Sequence, residues 1–143
     1  MRVVLDTNQI IGAGTRWLGD GQSHFNNNIH RRILVAIALS HTGLYCSKII
    51  GEYLEKLVDK KYPHERAIKL IAYIMGSFEN VQIVTQNAPC IPTDPDDEIF
   101  LICAVDGHAD YLISENHSLL DLKAFFSNAI IGCAADFSVL LGV

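Results

Sequence analysis

Val3-Val4-Leu5-Asp6-Thr7-Asn8 is a short apolar, β-branched run that stops at three polar residues. An unbroken apolar stretch of strand length suits a strand covered on both faces, as in parallel sheets. Its polar end would then lie at the carboxyl edge of the sheet, where open α/β proteins gather their ligands.

Reading outward from this strand, residues 14–28 are rich in Gly and Asn and predict a loop. Residues 29–41 predict a helix and 43–46 a second strand. Ser47 is placed to cap a helix running to about Lys61. Pro63 ends it, and a further helix follows over His64–Ser77. Val81–Val84 predicts a third strand, and Gln86–Asp94, with Pro89 and Pro92, a loop. Asp97 opens an apolar-periodic helix through Val105. Ala109–Ile113 predicts a fourth strand, with Ser114-Glu115-Asn116-His117 as its polar exit. A short helix begins at Leu119-Leu120, residues 129–131 form a fifth strand, and Ala134–Leu141 a final helix. Strands alternating with helices imply an α/β fold: a three-layer α/β/α sandwich with a mostly parallel sheet of about five strands.

The bulk composition agrees. The chain has 143 residues, 50% of them hydrophobic and 19% charged, which predicts a single domain over residues 1–143 with enough apolar material for one core. No apolar run reaches the length of a membrane span, and the N-terminus lacks the pattern of a signal peptide, so the expected location is cytoplasmic and no membrane is expected as a partner. Cys46, Cys90, Cys103 and Cys133 show no zinc-site spacing and predict reduced, mostly buried thiols. A net charge of −5 argues against a broad basic surface for nucleic acid. It leaves room for a small acidic pocket whose local sign a bound metal reverses.

Three acidic positions can meet at one edge of this sheet. Asp6 follows the first strand, Glu52 lies in the first turns of a helix, and Asp94-Pro95-Asp96-Asp97 precedes another. Each has a plainer alternative. Asp6 could simply cap a helix. Glu52, flanked by Ile49, Tyr53 and Leu57, could be a half-exposed acid at the rim of the core. The Asp cluster could serve the dipole of the helix it precedes, although three acids around one proline exceed what a cap needs. Asn116 could be a ligand or turn chemistry, and Glu115 a further acid or a surface charge. His117 suits either a base or a solvated loop histidine. Trp17, beside Arg16, could stack on a base or close onto the core.

Taken in order, Val3–Asn8, Ser47 with the helix carrying Glu52, Pro92–Asp97 with Phe100-Leu101 and Ala104, and Ala109–Ser114 resemble the PIN-domain family, especially its members in bacterial and archaeal toxin–antitoxin modules. The resemblance implies a metal-dependent ribonuclease with Asp6, Glu52 and Asp97 as metal ligands and Asp94 as an accessory acid. Asn116 stands where the family often has its fourth acid, and would join Asp6, Glu52 and Asp97 in the catalytic set. Ser118 replaces a further Asp, and both departures touch a second metal position. Thr7, Asn8, Ser47 and Ser114 would orient ligands or water.

An all-oxygen donor set of this kind suits Mg²⁺ or Mn²⁺ rather than a soft metal. Water activated at the ion would attack the phosphodiester directly. Single-stranded or looped RNA is the expected substrate. Arg16, Arg31, Arg32 and Lys48 are the candidate phosphate contacts. A small antitoxin protein is the expected partner. The apolar helices 29–41 and 64–77 could form a homodimer seam, or be explained by burial alone. The alternative to a toxin is a catalytically weak or inactive PIN domain that binds RNA or protein. A flap-type DNA nuclease shares the metal logic but would need an added helical arch or DNA-binding module.

Overall fold

The structure, a computed structural model, describes residues 1–14 and 28–143. The elements in chain order are β1 (Arg2–Leu5), α1 (Thr7–Gly14), α2 (Ile29–Ser40), β2 (Thr42–Tyr45), α3 (Ser47–Asp59), α4 (His64–Ser77) and β3 (Glu79–Asn80). A 3₁₀ turn (Pro95–Asp97) leads into α5 (Glu98–Asp106), followed by β4 (Tyr111–Ile113), α6 (His117–Leu120), β5 (Ile130–Gly132) and α7 (Ala134–Leu141).

The five strands form one sheet in the order β3-β2-β1-β4-β5, and every pairing is parallel. Val3, Val4 and Leu5 are all essentially inaccessible. Successive strand residues point to opposite faces, so both faces of β1 are covered and the fold is the three-layer α/β sandwich expected. Helix α5 lies against β1, β2 and β4, while α1 packs on α2 and α3, and α7 on α2. The apolar faces of α2 (Ile33, Leu34, Ile37) and α4 (Leu70, Ile71, Ile74) are spent on this core. Among the described residues, no helix is long and apolar enough to cross a membrane.

The chain winds from β1 outward through β2 to β3, then returns to the other side of β1 for β4 and β5. The reversal opens a crevice at the carboxyl ends of β1 and β4, the usual ligand site of such sheets. Asp6 and Ser114 leave those two strand ends, and the Ser114 amide continues the ladder onto Gly132 at 2.9 Å.

Locally, some elements differ from expectation and some agree. The third strand is not Val81–Val84 but the dipeptide Glu79–Asn80. The Val84 and Thr85 amides donate instead to the Asp106 carboxylate, at 2.8 and 2.9 Å, which draws the chain off the sheet. Ser47 does not cap α3: Cys46 holds that position in extended backbone, and Ser47 is the first helical residue. Asp97 ends the 3₁₀ turn and holds the N-cap position of α5, so the helix opens there as expected, while the Asp94 side chain accepts the Asp96 amide at 3.0 Å. Helix α1 occupies Thr7–Gly14, a helix that only the capping alternative for Asp6 implied. Eight residues with two glycines carry little intrinsic helicity, so burial of Ile10 and Ala13 against neighbouring helices stabilises it.

The described ends of the expected 14–28 loop are Gly14, which closes α1, and Asn28, which caps α2 through the amides of His30 and Arg31. Arg16, Trp17 and Phe25 lie outside the described residues. The four cysteines are free thiols; Cys46 and Cys103 are buried, and Cys90 and Cys133 are half-buried.

Candidate metal centre

The crevice contains a cleft of about 210 Å³ lined by Asp6, Thr7, Asn8, Glu52, Lys56, Asp94, Asp96, Asp97 and Asn116. Five carboxylates from three distant segments therefore share one small space. Asp6 is 2% exposed. Its Oδ1 accepts the Thr7 amide at 2.6 Å and its Oδ2 the Ser114 hydroxyl at 2.7 Å. The Ser114 oxygen in turn accepts the Asn116 amide at 2.9 Å. Asp6 thus serves less as a helix cap than as an acid held from below by donors.

Holding it there is costly. Burial is the main reason that the Asp6 carboxyl is pushed up to about 6, and the Asp97 and Asp94 charges add to it. The Ser114 hydroxyl and Thr7 amide pull the other way. Asp97 is raised as well, first by burial and then by Asp94 and Asp96, while bonds from Ser118 and Asn116 oppose the rise. Glu52 is raised by burial, Asp96 and Glu55, and lowered by Lys48 and Lys56. Three raised acids in one cleft describe a pocket short of positive charge.

Asn116 turns its side-chain amide to Asp97 Oδ2 at 2.8 Å, and its own oxygen caps α6 through the Ser118 amide at 3.0 Å. The Ser118 hydroxyl accepts the Asp94 amide at 3.0 Å. Two neutral groups thus brace the acidic turn from β4's exit. Tyr53, next to Glu52 and fully buried, donates its hydroxyl to the Leu5 carbonyl beneath Asp6. That tie was not foreseen, although a tyrosine on the apolar face of this helix needs a partner for its hydroxyl.

Other expected residues stand elsewhere. Ser47 is exposed and lines a neighbouring groove with Cys46 and Lys48. Arg31 is not a surface phosphate contact: it is 2% exposed, and its Nε donates to the Ala13 carbonyl at 3.2 Å. Arg32 is half-buried, and Lys48 is exposed one turn before Glu52. Glu115 faces away from the cleft lining and accepts the Ala134 amide at 2.7 Å and the Gln9 side chain at 3.3 Å. His117 is solvated, 3.7 Å from Asp121. Asp96 of the expected acidic cluster lines the cleft, and so does Lys56, a residue with no expected role. The spacing of four between Glu52 and Lys56 is the signal that could have found the lysine.

The donor set fits a hard divalent cation, being carboxylate and amide oxygen throughout. Among the described residues, however, no three His, Cys, Asp or Glu side chains stand close enough to hold an ion together. The residues could hold a divalent ion directly through one or two carboxylates, with water filling the remaining positions.

The Ser114 bond provides a direct check. Ser114→Ala removes the donor that lowers Asp6 and leaves the Asn116 amide without its acceptor. The Asp6 carboxyl is expected to titrate above its present value of about 6. A carboxyl-selective NMR titration reads this, and a downward or absent change would refute the bracing role.

Comparison with known proteins adds the lineage. A PIN-domain family model matches residues 2–118. Among solved structures, the chain is similar to one from the crystal structure of VapBC2 from Rickettsia felis bound to a DNA fragment from their promoter. The TM-score is 0.56 at 16% identity, covering 93% of this chain and 98% of that chain. At that identity the likeness concerns the fold. No curated protein matches the sequence.

Proposed function

The chain belongs to the PIN-domain family, and from that premise we propose that it is a divalent-metal-dependent endoribonuclease, the toxin of a toxin–antitoxin pair. The observation that carries this is the meeting of Asp6, Glu52, Asp94 and Asp97 in one cleft at the reversal point of the sheet. PIN domains are generally nucleases, and the fold likeness to a VapBC2 chain supports an antitoxin partner. The nuclease domain is taken as residues 1–143, and its place as the cytoplasm.

Asp6, Glu52 and Asp97, some of them through bridging waters, would hold Mg²⁺ or Mn²⁺, with Asp94 as accessory. The bound ion supplies a Lewis acid for the phosphate and a lowered pKa for attacking water. Ser114 and the Thr7 amide keep Asp6 in place and favour its ionised form. Asn116 and Ser118 do the same for Asp97. Asn8, exposed at the cleft, is placed to meet substrate or water. Single-stranded RNA is the proposed substrate because an unpaired backbone can enter a cleft of this size.

A second reading, a quiet domain that binds RNA without cutting it, is favoured by one observation: neutral Asn116 and Ser118 stand against Asp97 where the family often has acids. End-labelled single-stranded RNA separates the two. The toxin reading expects fragments with Mg²⁺ or Mn²⁺ and none with EDTA. RNA that binds yet stays intact at every Mn²⁺ concentration selects the quiet domain. Cleavage that survives EDTA rejects the metal mechanism.

A further inference from the structure

We propose that Lys56 is the side chain that receives the RNA phosphate at the acidic cleft. The proposal rests on the nuclease reading above and adds the residue that draws a polyanion into a negative pocket. Among the described residues lining the cleft, Lys56 is the one cation. Five carboxyl groups against one ammonium leave a surplus of up to four negative charges, and a single divalent ion would only halve that surplus. A phosphodiester entering such a space meets repulsion unless a mobile positive group reaches it first. Lysine suits the task, being a compact charge on a flexible four-carbon stem.

Lys56 is placed and free to act. It lies in the last turn of α3, one turn beyond Glu52, and it is exposed. Its charge is felt at Glu52, whose acidity it strengthens. The ion pairs among the described residues are Arg2–Glu79, Lys69–Glu65 and His117–Asp121, so the ammonium is locked to none of the surrounding carboxylates. The other basic candidates are less well placed: Arg31 is turned into the core and Lys48 lines the next groove.

The test is the salt dependence of binding to a fluorescent single-stranded oligoribonucleotide, measured with Mg²⁺ in the Asp6→Asn background so that the RNA stays intact. Losing one phosphate contact on a single strand removes about 0.7 from the slope of log Kd against log salt. Lys56→Gln is expected to lower the slope by about that amount and to weaken binding about tenfold at low salt. Lys56→Arg should restore most of both. Lys60→Gln, the same charge change on the same helix end but outside the cleft, should alter neither. A slope unmoved by Lys56→Gln overturns the proposal, as does an absence of measurable RNA binding by the parent protein. The nuclease reading fails separately: a Lys56-dependent slope with no cleavage by the wild type keeps the contact and removes the hydrolysis.

Discussion

Asp6→Asn is expected to abolish RNA cleavage and, in the same molecule, to make the metal-free protein more stable. The two effects share a cause. The Asp6 carboxyl is buried at the carboxyl end of β1 and titrates near 6 instead of 3.8, mainly because burial disfavours its charge. The native state holds this proton more tightly than the unfolded chain does. Its stabilising contribution is therefore complete below about pH 4 and is lost as the pH rises through about 6. The interval corresponds to about 3 kcal/mol. A neutral Asn is not subject to that loss and also relieves the repulsion felt by Asp97. At pH 7.5, with chelator present, the variant should unfold at higher denaturant than the wild type by up to about 3 kcal/mol, and the difference should vanish near pH 4. Cleavage should fall by about a thousandfold or more, because the removed oxygen charge is one the ion needs. Intact cleavage would end the metal assignment. A variant less stable than the wild type at pH 7.5 would mean that Asp6's bonds to Ser114 and Thr7 outweigh its desolvation.

Metal should reverse the same instability. Titrating Mg²⁺ or Mn²⁺ into the wild-type protein at pH 7.5 is expected to raise its stability by about 2.7 kcal/mol when the ion reaches a hundred times its Kd. For a chain of this length that is a rise in Tm on the order of 8 °C. Ion and proton compete for Asp6, so more metal should be needed below pH 6 than above it, and binding there should release protons. Asp6→Asn should lose most of the thermal shift. Equal shifts in wild type and variant would place the ion elsewhere on the protein, and no shift at any concentration would favour the quiet domain.

Much of this architecture could be read before any coordinates. Val3–Leu5 is apolar without interruption because both faces of its strand are covered, and the polar residues after it are an edge seen from the inside. Helix α4 was legible at both ends because Pro63 and an apolar period mark it. What escaped was set by contacts distant in sequence. Val81–Val84 has the composition of a strand, but Asp106 captures the amides of Val84 and Thr85. Helix α1 is weak alone and exists through its neighbours. Arg31 looks like a surface cation until the Ala13 carbonyl is found above it. At the site, the acids Asp6, Glu52, Asp94 and Asp97 were visible as residues that a core would not need. The braces beneath them, Tyr53 and Ser118, were not legible as braces, since their hydroxyls look ordinary until their partners are placed.

The Tyr53 hydroxyl on the Leu5 carbonyl has a mechanical consequence. It couples α3 to the last peptide of β1, so Glu52 and Asp6 ride on one rigid unit. Pulling them apart would strand a buried hydroxyl and a buried carbonyl, at a cost of about 1–3 kcal/mol for each. Adjustment of the cleft around a cation of different radius must then come from the opposite wall, the turn from Asp94 to Asp97. That wall acts as the jaw and the strand end as the anvil, so substitutions in the turn should change which ion is preferred more readily than substitutions around Tyr53.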